Sequence, residues 1–315
     1  MSNTAFSTIA LAIALALAAA SQFIPNEYFF TAAYTVLLFV ILATAWNILG
    51  GYTGYVNFGS AAFFAIGAYT TVFLYNAFKA PLAVMIVAGT LMAGLAGLGL
   101  GYLTLRLRGV FFAIASLALA VVLYVFIVNW DYVGGARGAY VLQPREVPFG
   151  LPRYIHLLYS VQLVMAAVAI AIARAIEHST IGRGLAAIRD DELAAECSGV
   201  PTLKLKIFSA SISGALMGMA GTTFPYYLSF VEPSSAFSLS YAVNSIAMPL
   251  IGGMMSWMGP LIGAVLLGSV QQLVQVTISS AWNLLIVGVL LVLFVTLAPN
   301  GIMGWVDAWR RRKAR

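Results

Sequence analysis

The sequence predicts an all-α integral membrane protein of about eight to ten transmembrane helices, some of them interrupted, with an internal repeat. Three observations carry this expectation. Only 8% of the residues are charged and 62% are hydrophobic, whereas a soluble domain carries about 25% charged residues. Uncharged apolar runs of spanning length recur from one end of the chain to the other. Most of the charges sit between those runs rather than inside them. The whole of 1–315 therefore reads as one polytopic transmembrane domain in a lipid bilayer.

In chain order, apolar segments run at 5–24, 29–49, 57–78, 82–105, 109–129, 155–176 and 204–228. Three more, near 240–256, 259–279 and 281–298, are interrupted by Gly and Pro. The first resembles a signal peptide in its apolar centre and in the small residues near Ala20. It lacks a basic start, the first basic residue being Lys79, so it reads as an uncleaved span. Gly94, Gly97 and Gly101 lie at small spacing on one face, which predicts close helix packing.

The net charge of +6 is a topology signal. The basic residues flank spans: the central loop, Arg106 and Arg108, and the tail Arg310, Arg311, Arg312, Lys313 and Arg315. Such positions are expected in the cytoplasm. Counting spans from there puts both termini on that side of a bacterial inner membrane, and the connections 129–154, 26–27 and 232–233 on the other. Nucleic acid is not expected as a partner, because the aromatics lie in apolar spans and not in a basic groove. The single Cys197 excludes an intrachain disulfide, and His156 and His178 have no companion ligands, so no metal site is expected.

Two stretches break the helical pattern. Leu49–Tyr69 contains Gly50, Gly51 and Gly54, followed by Asn57 and Ser60. Ile251–Ser269 contains Gly252, Gly253, Gly259 and Pro260. Paired interruptions at matching places in two halves point to repeats that enclose a transport path. Close packing through small residues is the plain alternative. Asn47, Gly50, Gly51, Gly54, Asn57, Ser60, Tyr69, Gly252 and Gly253 are thus the candidate pathway and helix-break residues.

Ionisable groups, which mark proton relays and ion-coupling sites inside membranes, are nearly absent from the spans. Deep polar groups are amides and hydroxyls, among them Gln162, Asn244, Gln271, Gln272 and Gln275. No phosphate-binding loop, nucleophile elbow or HExxH motif occurs, so no catalytic residue or cofactor is expected on this chain. Energy for uphill movement would have to enter from another subunit.

The one long hydrophilic stretch, 174–206, holds five of the ten acidic residues: Glu177, Asp190, Asp191, Glu192 and Glu196. Asp190 is expected to cap a short helix, with Asp191 and Glu192 in its first turn. Leu193, Cys197 and Val200 recur at helical spacing, and Gly199 with Pro201 stops the helix. A capped helix at the membrane surface suits docking; an ordinary solvated connection is the competing reading.

Four stretches together resemble the permeases of branched-chain amino-acid ABC importers, specifically the LivM-like subunit. They are LGGYTGYVNFGSAAFFAIGAY, the run Gly134-Gly135-Ala136-Arg137-Gly138, GRGLAAIRDDELAAECSGV, and GGMMSWMGPLIGA followed by LAPNGI. The third is similar to the family's cytoplasmic coupling loop. The resemblance implies a second homologous permease, two ATP-binding subunits that carry the ATP and Mg, and an extracytoplasmic substrate-binding protein. It implies that 177–203 is a cytoplasmic coupling loop, with Arg183, Arg189, Asp190, Asp191, Glu192, Ala195, Glu196 and Gly199 meeting the ATPase. Ser60, Met254, Met255 and Met258 depart from the family's usual residues, and members of this architecture also serve urea and short amides. The function expected is import of branched-chain or related small amino acids. A self-sufficient carrier or channel for a small polar solute, or an importer of the same family for urea and short amides, is the alternative.

Overall fold

A computed structural model describes residues 26–104, 107, 109–144, 147, 151–277 and 301–305, with isolated positions at 6, 8, 9, 12, 16, 285, 288, 289, 291–293 and 296. Most of the expected spans 5–24 and 281–298, Arg106, Arg108, Glu146, Asp307 and the basic tail lie outside the described residues. Among the described residues seven helices are long and apolar enough to cross a membrane. The chain is an all-α integral membrane protein.

Helix α1 (Glu27–Thr53) starts at Asn26, whose side chain accepts from Tyr28 N–H, and ends at Gly54 in the left-handed region, φ 78°. Every residue from Leu38 to Thr53 is buried, as expected of a helix that is apolar all round. The burial arises because α1 is the hub. It packs against α5 (Tyr154–Glu177), α8 (Thr202–Gly221), α11 (Leu239–Gly252) and α12 (Met258–Thr277). Around this hub stand α2 (Ser60–Phe78), α3 (Leu82–Thr104) and α4 (Val110–Val128). The outer faces of α3 and α4 are bare aliphatic surface, with Leu91, Leu95, Val110 and Val122 more than half exposed.

The tightest pairing joins α3 to α8 through small residues. A Cβ on Gly94 would lie 3.2 Å from Ala215, and one on Gly97 2.6 Å from the Ala210 carbonyl. The Ser211 hydroxyl donates to Gly94 O at 2.9 Å. Side chains this small let two backbones approach, which is where helix association in lipid gets its dispersion energy. The packing expected of Gly94 and Gly97 is therefore present.

The helices define two ends. At one, strand β1 (Ala139–Tyr140) pairs antiparallel with β2 (Phe230–Val231), and Arg153 forms an ion pair with Glu27. The connections 26–27, 129–154 and 232–233 thus share one end, as charge counting expected. Gly134 and Gly138 have φ 98° and 77°, and a Cβ on Gly138 would press 2.7 Å against Val231 O, so this run is a turn seating β2.

Boundaries differ from expectation in three places, each with a reason. The span expected at 57–78 begins at Ser60, because 54–59 is a non-helical link. The segment at 204–228 is interrupted at Thr222–Thr223, followed by the short α9 (Phe224–Leu228), where Pro225 sits in the first turn. The segment near 240–256 is only fourteen residues long, ending at Gly252, with α10 (Pro233–Ala236) before it.

Candidate functional site

The opposite end gathers both helix breaks beneath the hydrophilic stretch. That stretch forms two helices, where the sequence had suggested one. Helix α6 (Thr180–Asp190) is capped by Ser179, whose hydroxyl accepts from Gly182 N–H at 3.2 Å. Its buried Leu185 and Ile188 face the bundle and Arg183 faces out. The signal was legible: Ser179 as a cap, then Ile181, Leu185 and Ile188 at helical spacing. Helix α7 (Glu192–Cys197) is capped by Asp191, which accepts from Ala194 N–H at 3.0 Å. The capping residue is thus Asp191 and not Asp190, because Asp190 completes α6. Leu193 and Cys197, expected at helical spacing, are both exposed, Leu193 by 59%, and Ala195 is the buried side chain. Glu196 and Gly199 are also exposed, Gly199 with φ 85° and nothing within 4 Å of an added Cβ.

Three side chains lock α6 and α7 to the breaks. Arg189 Nη1 donates to Gly51 O at 3.5 Å, and its Cγ would lie 3.3 Å from a Cβ on Gly54. Arg189 also pairs with Asp190 at 3.4 Å, an exposed carboxylate. Glu192 pairs with Lys206 at 2.7 Å, the two side chains being 14% and 4% exposed. The Tyr55 hydroxyl donates to Glu192 Oε2, and Lys206 Nζ donates to Tyr55 Oη at 3.2 Å from a position over the Tyr55 ring. One cluster therefore joins α7, the start of α8 and the link after α1.

Glu177, the last residue of α5, does the same for both breaks at once. Its Oε2 accepts from Trp257 N–H at 2.6 Å and from the Tyr52 hydroxyl at 3.1 Å. Trp257 belongs to the link between α11 and α12, and Tyr52 to the end of α1. The Arg174 guanidinium lies 5.2 Å from the Trp257 ring centroid, a second tie from α5. Glu177 and Lys206 entered the sequence reading only as charges of the hydrophilic stretch and Tyr52 not at all, since a lone charge at a span end looks like a solvated flank.

The breaks themselves are close backbone contacts. A Cβ on Gly51 would sit 2.7 Å from Met254 O, so the two links touch. Gly252 abuts Gly259, and Gly253, with φ 115°, abuts Gly301. A Cβ on Gly50 would run into the Trp46 ring. The first link is satisfied by protein groups, the condition under which irregular backbone survives at membrane depth. Trp46 Nε1 donates to Asn57 O at 2.8 Å, Phe58 N–H to Ser116 Oγ at 3.0 Å, and Gly59 N–H to Asn57 Oδ1 at 2.8 Å. Ser60 Oγ accepts from Ser245 Oγ at 3.0 Å. Asn47 is buried against Gly51. Tyr69 stands apart from this cluster, lining an apolar cavity of about 550 Å³ with Phe73, Trp130 and Phe237.

Residues 28–295 match the family model for the branched-chain amino acid transport system / permease component. The chain belongs to this family. It is 27% identical to the high-affinity branched-chain amino acid transport system permease protein LivM of Escherichia coli, over 92% of this chain and 73% of that protein. It is 25% identical to the probable branched-chain amino acid transport permease protein LivH of Methanocaldococcus jannaschii, over 88% of this chain and 91% of that one. A ribose import permease protein, RbsC of Haemophilus influenzae, is 30% identical over 40% of each chain. No solved structure matches. The chain is a multi-pass transport subunit of this permease family, and among the described residues no group of His, Cys, Asp and Glu could hold a metal ion.

Proposed function

We propose that the chain is the membrane-spanning half of an ATP-driven importer of branched-chain or related small amino acids, worked from the cytoplasm through α6 and α7. In this reading the end carrying α6 and α7 faces the cytosol, and ATP is hydrolysed on partner subunits. A second permease and an extracytoplasmic binding protein complete the assembly.

The single observation that carries the reading is the wiring of α6 and α7. Their inner faces are bonded to the first helix break through Arg189 and Glu192, and Glu177, at the end of α5 just before α6, bonds both breaks. Their outer face offers Leu193 and Cys197, one turn apart, flanked by Asp190 and Glu196. An apolar spot with a charged rim is suited to a groove on another protein. Force applied there reaches Gly51–Gly54 through Arg189 and the 253–257 link through the turn after Glu177. The glycines then serve as joints, since a break in the backbone ladder bends at less cost than an intact helix.

The test is co-purification and uptake by the Leu193→Asp variant, reconstituted with the ATPase subunits. Leu193 is mostly exposed, so folding is retained while ATPase capture and ATP-dependent accumulation are lost. Full accumulation by this variant, or accumulation by the chain alone, would remove the proposal; the second result would favour a self-sufficient carrier.

A further inference from the structure

Near the end opposite α6 and α7, the surface between α1, α10, α11 and α12 opens into a groove of about 400 Å³. Its lining is unlike the rest of the membrane surface. Glu232, Ser234 and Gln275 are exposed along it, while Asn244 and Gln271 are buried in its wall, with Ser238 also in the lining. Gln271 is thirteen residues along α12, about 20 Å from its start, so the amides fall within a hydrocarbon layer about 30 Å thick. The same helix carries a bare aliphatic face with Leu273 and Val276. The Gln275 amide is exposed, and an amide turned to lipid without partners costs several kcal/mol. The groove therefore faces water or a solute, while Leu273 and Val276 face apolar surroundings.

The groove is built rather than incidental. Gln271 Nε2 donates to Asn244 Oδ1 at 2.8 Å, and Asn244 Nδ2 donates to Ser240 O at 2.9 Å, so its inner amides are held in fixed positions. Both residues are less than 10% exposed. Glu232 Oε1 accepts from the Ser234 hydroxyl at 2.6 Å. No ion pair to Glu232 occurs among the described residues. Phe39 and Tyr241, with ring centroids 6.2 Å apart, supply an apolar wall in the same groove.

Resting on the importer reading, we infer that this groove is the outer half-site for the solute and that Glu232 binds its ammonium group. The solute class is a zwitterion with an aliphatic side chain. The ammonium meets the carboxylate, the hydroxyls and amides donate to the solute carboxylate, and the side chain lies on Phe39 and Tyr241. A neutral urea or short amide has no cation for Glu232, so the groove separates the two solute classes that the family resemblance leaves open. Ser60, bonded to Ser245 beside Asn244, then ties α2 to α11 next to this wall.

The experiment uses the complete importer in proteoliposomes with radiolabelled L-leucine and its binding protein. Wild-type accumulation must depend on ATP; if it does not, the importer reading itself fails. Given that dependence, Glu232→Gln lowers uptake about tenfold, the loss of one charge-assisted contact, while stimulation of ATP hydrolysis by loaded binding protein stays at the wild-type level. Undiminished uptake overturns the assignment. A fall in stimulation that parallels the fall in uptake also overturns it, because Glu232 would then be holding the binding protein. Gln275→Leu checks the wall independently: on a lipid-facing surface it is neutral, and on a wet path it reduces uptake in a normally assembled complex. Normal uptake by Gln275→Leu likewise overturns the groove.

Discussion

Replacing Lys206 by Met tests the seat of α7 most directly. Lys206 and Glu192 are 4% and 14% exposed and 2.7 Å apart, so little solvent screens them. Breaking a buried pair by removing one partner costs about 3–5 kcal/mol. The lower end applies here, because the Tyr55 hydroxyl still donates to Glu192. A six-residue helix has no stability of its own in water, so the protection of its amides reports docking onto the bundle. About 3 kcal/mol corresponds to a roughly hundredfold rise in the open population, read as faster hydrogen exchange across Glu192–Cys197 in lipid nanodiscs. The helix α8 core should keep its protection, since Lys206 lies in its second turn. The double variant Lys206→Met, Glu192→Gln should recover part of the loss, because neither charge is then left buried alone. Unchanged exchange in the single variant, or a double variant that loses the full sum of both singles, would refute the idea that this pair seats the helix.

Two further outcomes follow from the geometry. Glu177→Ala removes the acceptor of Trp257 N–H and of the Tyr52 hydroxyl; leaving such donors unpaired costs about 2–3 kcal/mol in total. The thermal midpoint of the purified chain falls, whereas Glu177→Gln, which keeps an oxygen in place, falls less; equal midpoints for Ala and wild type would contradict the clamp. Gly252→Ala drives a methyl into the Gly259 carbonyl and abolishes monodisperse protein, while Gly199→Ala, strained by about 1–2 kcal/mol but sterically free, still elutes as a single peak.

The sequence was enough to show where the chain bends and which connections share a side. Glycine pairs have no side chain to pack, so Gly50–Gly51 and Gly252–Gly253 signal close backbone contact without a fold. Charge counting grouped 26–27, 129–154 and 232–233, because the bilayer forces even and odd connections to alternate. The cap shifted by one residue, from Asp190 to Asp191, because α6 is a separate helix whose end competes for Asp190. Spacing placed Leu193 and Cys197 on one face, and the fold turns that face outward with Ala195 inward, because periodicity gives a face but not its direction.

Composition and spacing alone determined the membrane class, the paired breaks and the absence of catalytic motifs, since each is a local property of the chain. Only the tertiary structure decided that Glu177 ties both breaks together, that Lys206 is buried beneath Tyr55, and that Glu232 shares a groove with Asn244 and Gln271. Those pairings span tens to hundreds of residues, and a charge at a span end looks the same in sequence whether water or a distant carboxylate receives it.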